Sequence, residues 1–296
     1  FELLVESSLQ GVTLKLPSPL GKTAGEALPM RIARTNSLQS ESLRRFQVDR
    51  LPPRGDAIML SVGRTLNGVI VRARDGERMV VERGALGLNA QAPALERPGI
   101  VVTGSLPYLD FDHWRALFGA GEGADSAAPA TPLTALNLQL GALDVAGRRV
   151  NELNLRATRS AGLGTANVSA RELVGDITWR PEGQGRIVAY LRHLTIPDPA
   201  PDAAKDDAQF PAQARAQSRE LPALDIVADN FVAGTTRLGK LELVAVNQAR
   251  DWRIERLVLS NPEGTLTADG YWQSWAARPS TSINVKVEVS DAGKYL

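Results

Sequence analysis

Apolar and polar residues alternate with a period of two along most of the chain, the spacing that sends successive side chains to opposite faces of a β-strand. Ile58, Leu60 and Val62 alternate with Met59 and Ser61, and Val69 and Val71 continue the pattern. Asp75-Gly76 then marks a tight hairpin turn, because both residues tolerate positive φ. Alternation resumes at Met79 and Val81 and again at Leu86 and Leu88. Later strands are predicted around Leu136/Leu138/Leu140, Leu153/Leu155, Ile187/Ala189/Leu191 and Leu224/Ile226. Leu241/Leu243, Leu257/Leu259 and Ile283/Val285/Val287/Val289 complete the series. Their partner positions are mostly Asn, Gln, Glu, Arg, Thr or Lys, so each strand has one apolar and one wet face. Antiparallel sheet with a single covered face reads this way, whereas buried parallel strands read as continuous apolar runs.

Helices are scarce. The stretch Asp110 to Phe118 puts Phe111, Trp114 and Phe118 on one side, with Asp110 or Asp112 as N-cap. A second short helix is predicted within Ser37 to Phe46. Two stretches lack the apolar surface needed to offset ordering entropy and are expected to be disordered linkers. One is the Gly/Ala/Pro segment 119–132; the other, 197–222, carries Pro197, Pro199, Pro201, Pro211 and Pro222. They separate a β-rich unit over 1–118 from repeat units over 133–196 and 223–296.

The repeat is visible in register. Leu136/Leu138, Leu143, Val150, Leu153, Leu155 and Ala157 recur as Leu224/Ile226, Phe231, Leu238, Leu241, Leu243 and Ala245, at a constant offset of 224 − 136 = 88. Both copies break alternation with a three-residue step, Val150 to Leu153 and Leu238 to Leu241, which predicts a bulge or turn at each. Repetition of one supersecondary unit implies a quasi-linear array. The predicted class is therefore mainly β: repeated antiparallel β-sheet units curled into an elongated apolar groove, with one or two short helices.

Composition narrows the chemistry. The 296 residues carry 34 Lys+Arg against 33 Asp+Glu, a net charge of +1, so no global basic field draws in nucleic acid. Aromatic residues make up 5%, too few for stacking platforms along a single strand. With no cysteine, disulfide scaffolds, iron–sulfur clusters and thiol nucleophiles are excluded, and two histidines cannot build a His-rich metal site. Phe1 is not a start methionine and Phe1 to Glu6 reads as mid-strand, so the chain is expected to be a piece of a longer protein. No apolar run reaches the ~18 residues of a membrane helix.

Individual motifs read as structure. Gly119 to Gly123 follows a helix rather than a strand, which fits a linker and not a phosphate loop. Asp198, Asp202, Asp206 and Asp207 lack the turn glycine and closing glutamate of a calcium loop. His113 sits between Asp112 and Trp114 at a helix start and reads as a capping or surface residue; His193 takes a polar-face strand position. No Gly-x-Ser-x-Gly elbow occurs. No cofactor, metal or catalytic residue is expected.

Taken in order, several softer motifs form a pattern. Ser8-Leu9-Gln10-Gly11-Val12 is followed by Leu16-Pro17-Ser18-Pro19-Leu20-Gly21-Lys22 and Pro29. Then come Gly104-Ser105-Leu106-Pro107-Tyr108-Leu109-Asp110 with Trp114, Trp252-Arg253-Ile254 with Leu257, Leu259 and Pro262, Ala268-Asp269-Gly270-Tyr271-Trp272, and Asp291-Ala292-Gly293-Lys294. This succession resembles the AsmA-like superfamily, in its large YhdP-type branch. The resemblance implies a bacterial envelope protein, periplasmic and tethered to the inner membrane by an N-terminal helix absent here. It also implies kinship with bridge-like lipid-transfer proteins, whose β-sheet units form an apolar groove for phospholipid. The implied partners are phospholipid, that inner-membrane anchor and an outer-membrane or envelope protein, with no nucleic acid.

The expected groove lining begins with Ile58, Leu60, Val62, Val69 and Val71, then Leu136, Leu138, Leu140, Leu153 and Leu155. It continues through Ile177, Ile187, Leu191, Leu224 and Ile226, then Leu241, Leu243, Trp252, Ile254, Leu257 and Leu259. Leu266, Ile283, Val285 and Val287 close it. Two other readings of the stripes stay open: a β-sandwich array with a dry core that organises envelope proteins, and an enzyme domain whose active site lies elsewhere.

No step of a lipid groove transfers a proton. His113→Ala and His193→Ala in the full-length protein are therefore expected to leave envelope lipid phenotypes unchanged. Lost function with an unchanged melting temperature would point to an enzyme.

Overall fold

The computed structural model describes residues 1–119, 133–145, 147–197, 222–248, 251–273 and 280–290. The expected linkers at 119–132 and 197–222 lie almost wholly outside these residues. The chain divides into two compact units, Phe1–Arg159 and Ser160–Leu296, a division that falls inside the stretch 133–196 expected to be one repeat. The described residues form a mainly β protein of sixteen strands and two short helices, and within each unit hydrogen-bonded strand order follows chain order.

The first unit contains β1 (Glu2–Ser7), β2 (Met30–Thr35), α1 (Glu41–Arg44), β3 (Asp56–Val62), β4 (Leu66–Asp75) and β5 (Arg78–Leu88). It continues with β6 (Gly99–Asp110), α2 (Phe111–Gly119), β7 (Leu133–Val145) and β8 (Arg148–Ser160). The helix read at 110–118 is α2, whereas of the stretch 37–46 only one turn, α1, is helical. The β4–β5 hairpin turns at Gly76, φ +58°, with Asp75 paired to Arg78 as the last rung instead of a central turn residue.

Pairing is not antiparallel throughout, which corrects the sequence expectation. β5 and β6 run parallel, as do β6 and β7. A parallel partner requires the connection to return the chain to the starting end. The reading failed because it tied parallel strands to long crossover helices, whereas β5 and β6 are joined through residues 89–98 without one.

One face of β2–β5 is shut. Ala33, Ala57, Met59, Val69, Val71 and Ala85 pack against Leu43 of α1 and Leu95, with Phe46, Val48 and Leu51 around them. Arg83, 3% exposed, reaches up from the sheet into this cover. Its Nη1 donates to Leu95 O at 3.3 Å, and its Nη2 to Arg50 O at 2.7 Å and Asp49 Oδ1 at 3.3 Å, which ties both loops to β5. At the end of the other face, buried Asp56 accepts from Arg72 Nε and Nη2 at 2.8 and 2.7 Å and from Arg34 Nε at 2.5 Å.

The second unit holds β9 (Leu163–Ser169), β10 (Leu173–Arg180), β11 (Arg186–Ile196), β12 (Ala223–Ala233) and β13 (Thr236–Gln248). β14 (Asp251–Asn261), β15 (Gly264–Gln273) and β16 (Ser280–Val289) follow. β11 and β12 are parallel; the other neighbouring pairs from β9 to β16 are antiparallel. Moved by 88 residues, β8 at 148–160 falls on β13 at 236–248, so the sequence repeat is a repeat of strands. Its three-residue steps are realised differently. The second copy has a register shift beside Gly239, φ +87°, and the first has Glu152 at φ +55° with the ladder in register.

Burial pushes the Asp56 carboxyl up, but the hydrogen bonds and charges of Arg72 and Arg34 outweigh it and hold its pKa below the ordinary carboxylate value. The resulting stability is complete above the unfolded carboxylate pKa, about 4, and is lost as pH falls through the lower folded value. Asp56→Asn, which leaves two guanidinium groups facing a neutral amide, should cost about 3 kcal/mol at pH 7. Thermal melting of wild type and variant should converge only below the ordinary carboxylate range. A constant gap down to acid pH would show that the charge is not what stabilises the site.

Candidate functional site

Cross-strand partners share a face, so the register defines what each face displays. In the first unit one transverse line runs Val5, Ile32, Leu60, Gly68, Leu86, Val102, Leu136 and Ala157, one residue from each strand of β1–β8. A parallel line runs Val62, Leu66, Leu88, Gly104, Leu138 and Leu155, and a third joins Leu106, Leu140 and Leu153. Eight strands at ~4.8 Å carry such a line roughly 34 Å along the sheet. Most of its large side chains are only half-buried.

The second unit repeats the arrangement. Ala166, Ile177, Ala189, Ile226, Leu243, Leu257, Ala268 and Val285 form one line across β9–β16. Val168, Gly175, Leu191, Ala228, Leu241, Leu259, Leu266 and Val287 form the next. A third runs through Ile187, Leu224, Ala245, Ile254, Gly270 and Ile283. Bulges preserve these lines. Between Ile254 and Leu257 the ladder slips, so a three-residue step returns leucine to the same face. The same device acts on β11 and β12, where Leu191 and Leu194, and Ala228 and Phe231, all join one apolar cluster. Exposure at β16 is greatest: Ile283, Val285 and Val287 are 50%, 57% and 57% accessible.

The opposite face of the second unit is wet. Glu242 accepts from Lys240 Nζ at 2.9 Å and Arg256 Nη2 at 2.7 Å, and Arg186 Nη2 meets Asp225 Oδ2 at 3.1 Å. The Lys240 hydrogen bond, reinforced by the Arg256 charge, holds the Glu242 carboxyl below its usual range. His193 lies half-buried in β11, its ring nitrogens beside Thr195 Oγ1 at 2.9 Å and Asn230 Nδ2 at 3.3 Å. Among the described residues no cluster of three or more His, Asp or Glu could hold a metal.

In the first unit one end of the apolar face is roofed. Pro19 and Leu20 from the β1–β2 connection, together with Phe111 and Trp114 of α2, close over Leu66, Leu88 and Leu106 to leave a pocket of about 430 Å³. Helix α2 is held at both ends of its first turn. Asp110 Oδ1 accepts the His113 N–H at 2.9 Å, and Asp112 Oδ2 accepts the Gly147 N–H at 2.9 Å. Trp114 Nε1 donates to Ser18 O at 3.0 Å. Beside it, Tyr108 Oη donates to Asp144 Oδ2 at 2.7 Å, while Arg149 makes paired bonds to the same carboxylate at 2.7 and 2.8 Å. The Asp144 hydrogen bond pushes the Tyr108 phenol up to about 12, so it stays protonated at any physiological pH. These groups neutralise one another and serve to position the helix.

Most expected lining residues share a face within their unit. In the first unit these are Ile58, Leu60, Val62, Leu136, Leu138, Leu140, Leu153 and Leu155. In the second, Trp252 joins them two residues before Ile254, its Nε1 donating to Pro222 O at 3.3 Å. Val69 and Val71 do not belong. Ile58 pairs with Ile70, so the same-face residues of β4 are Leu66, Gly68 and Ile70, while Val69 and Val71 lie fully buried in the shut core. Alternation within one strand carries no information about which parity faces which side; pairing with β3 decides it. The expected lining also left out Ala189, Ala228, Ala245 and Ala268, which share these lines, and Pro19, Leu20 and Trp114, which line the pocket.

The class these features define is a mainly β sheet protein with a partly open apolar face in each unit, backed by a closed core in the first and by a wet face in the second. The chain belongs to the YhdP protein family, whose model matches residues 1–296. No curated protein and no solved structure matches it. Membership fits an envelope protein of the lipid-transfer type. Among the described residues no helix is long and apolar enough to cross a membrane.

The two faces of β3–β4 should respond differently to charge. Val69→Asp places an unpaired carboxylate in a closed core and should cost several kcal/mol, about 3–5. Leu60→Asp, on the half-open face, can hydrate and should cost about 1 kcal/mol. Equal losses on urea unfolding would show that both faces are closed.

Proposed function

We propose that the apolar faces of this chain shield the acyl chains of phospholipids, as a segment of a periplasmic groove between the inner and outer membranes. The observation that carries this reading is that each unit has an apolar face on which large side chains keep accessible surface, Leu60, Leu86 and Leu136 in the first and Leu243, Leu257 and Val285 in the second, although the opposite face is shut in the first unit and carries ion pairs in the second. An ordinary core would complete the burial of such side chains with a second layer. A phospholipid's two tails hold roughly 30 methylenes, and exposing them to water costs about 25 kcal/mol at ~0.8 each. A surface that replaces water along the tails removes most of that cost without recognising the headgroup, which stays in solvent. On this reading no reaction is catalysed, the full-length protein is tethered to the inner membrane, and an outer-membrane or envelope protein receives the lipid.

The test combines native mass spectrometry of the purified chain with photo-crosslinking from position 243. Bound phospholipid and crosslinks at 243 are expected, together with a destabilisation of about 1 kcal/mol for Leu243→Asp. The variant should fold yet lose bound lipid. Absence of lipid and crosslinks, with a collapsed melt for Leu243→Asp, would favour a closed structural β module.

A further inference from the structure

The pocket beneath α2 differs from the rest of the apolar face. Its walls come from three places: Leu66, Leu88, Leu106 and Leu109 of β4, β5 and β6, the Pro19–Leu20 turn, and the first turn of α2. Each is fixed by satisfied polar contacts outside the pocket. Lys22, 8% exposed, donates to the carbonyls of Leu9, Val12 and Thr23 at 2.8, 2.5 and 2.8 Å, which sets the shape of the connection presenting Pro19. Trp114 Nε1–H then bonds that connection to α2 through Ser18 O at 3.0 Å. Asp112 ties α2 to the β7–β8 turn through Gly147 N–H. A strap is thus braced across one end of the sheet.

Beside Leu88 the strand pairing leaves no room for a side chain. Gly104 follows Leu66 and Leu88 in their transverse line and has φ +134°; a Cβ there would sit 2.0 Å from Leu88 O, so only glycine fits. The eight lining residues are all apolar, and side chains of the protein leave about 430 Å³ between them. A methylene takes up about the volume of a water molecule, ~30 Å³, so this space accommodates roughly 14 of them. Water gains no hydrogen-bonding partner from such walls, whereas hydrocarbon regains close-packed contacts. The lining offers no cation or donor for a carboxylate, which disfavours a free fatty acid.

We propose that this pocket seats a single acyl chain of a phospholipid whose headgroup remains outside, with the strap of Ser18–Leu20 and α2 holding that chain against β4–β6. The proposal rests on the lipid-shielding reading above and adds a defined resting site to it. Hydrocarbon of one tail passes between Trp114 and Leu88, and the second tail lies on the open face beyond the strap.

The experiment uses the purified 296-residue chain and phosphatidylethanolamine with a mid-chain diazirine in one tail, presented in dioleoylphosphatidylcholine vesicles. Photolabelled residues are mapped by peptide mass spectrometry, with a diazirine fatty acid as a separate probe. Labels at Leu66, Leu88, Leu106 or Trp114 from the phospholipid probe are expected. Leu88→Trp, which fills the space, should lower pocket labelling about tenfold, the equilibrium change expected if two methylenes lose their place. Labelling of Leu243 and Leu257 should stay unchanged. If Leu88→Trp melts below wild type, Trp114→Phe decides instead: it keeps an apolar ring but removes the bond to Ser18, and pocket labelling should still fall. Pocket labelling that persists in the deciding variant overturns the seat. So does labelling of the pocket by the fatty acid alone. Labels confined to the second unit overturn the seat and leave the lipid-shielding reading standing; no label anywhere removes both.

Discussion

Register between neighbouring strands is the constraint on which everything else depends. Because side chains alternate with a period of two, a one-residue slip between any two strands would send the next strand's leucines to the wet face. The ladder avoids this across eight strands in each unit, from Val5 to Ala157 and from Ala166 to Val285. Where a strand steps by three residues, as from Ile254 to Leu257, a bulge absorbs the extra residue and restores the parity. Such bulges also increase local twist, which bends a strand without exposing its apolar side.

The two faces of the first unit are treated in opposite ways. One is closed by α1 and the loops that Arg83 gathers, and behaves as a conventional core. The other leaves Leu60, Leu66, Leu86, Leu88 and Leu136 half-buried, and it is bounded by paired charges: Asp56 with Arg34 and Arg72 at one end, and the Tyr108–Asp144–Arg149 group near α2. A surface that binds hydrocarbon needs rigid walls but must not supply its own second layer. Packing one face tightly supports the backbone while the other face stays available.

Pairing direction explains the interruptions of the sequence pattern. The stretches at 119–132 and 197–222 interrupt the alternation between β6 and β7 and between β11 and β12, both parallel pairs. An antiparallel neighbour needs only a short turn, as at Gly76, whereas a parallel neighbour requires the chain to come back.

Much of this architecture follows from the sequence by itself. Period-two alternation determines strands with one apolar face, the 88-residue offset determines that strand pairs recur, and Asp110 followed by Phe111 and Trp114 determines α2. Those are local properties, written in the spacing of a few residues. What the sequence could not decide is which parity of β4 faces the open side, since Val69 and Ile70 are equally apolar and only pairing with β3 separates them. Nor could it decide that Ser18, Trp114 and Leu88, distant along the chain, bound one pocket. Those relations exist only after strands have paired and the strap has closed, because they depend on register and long-range contact, which no local pattern encodes.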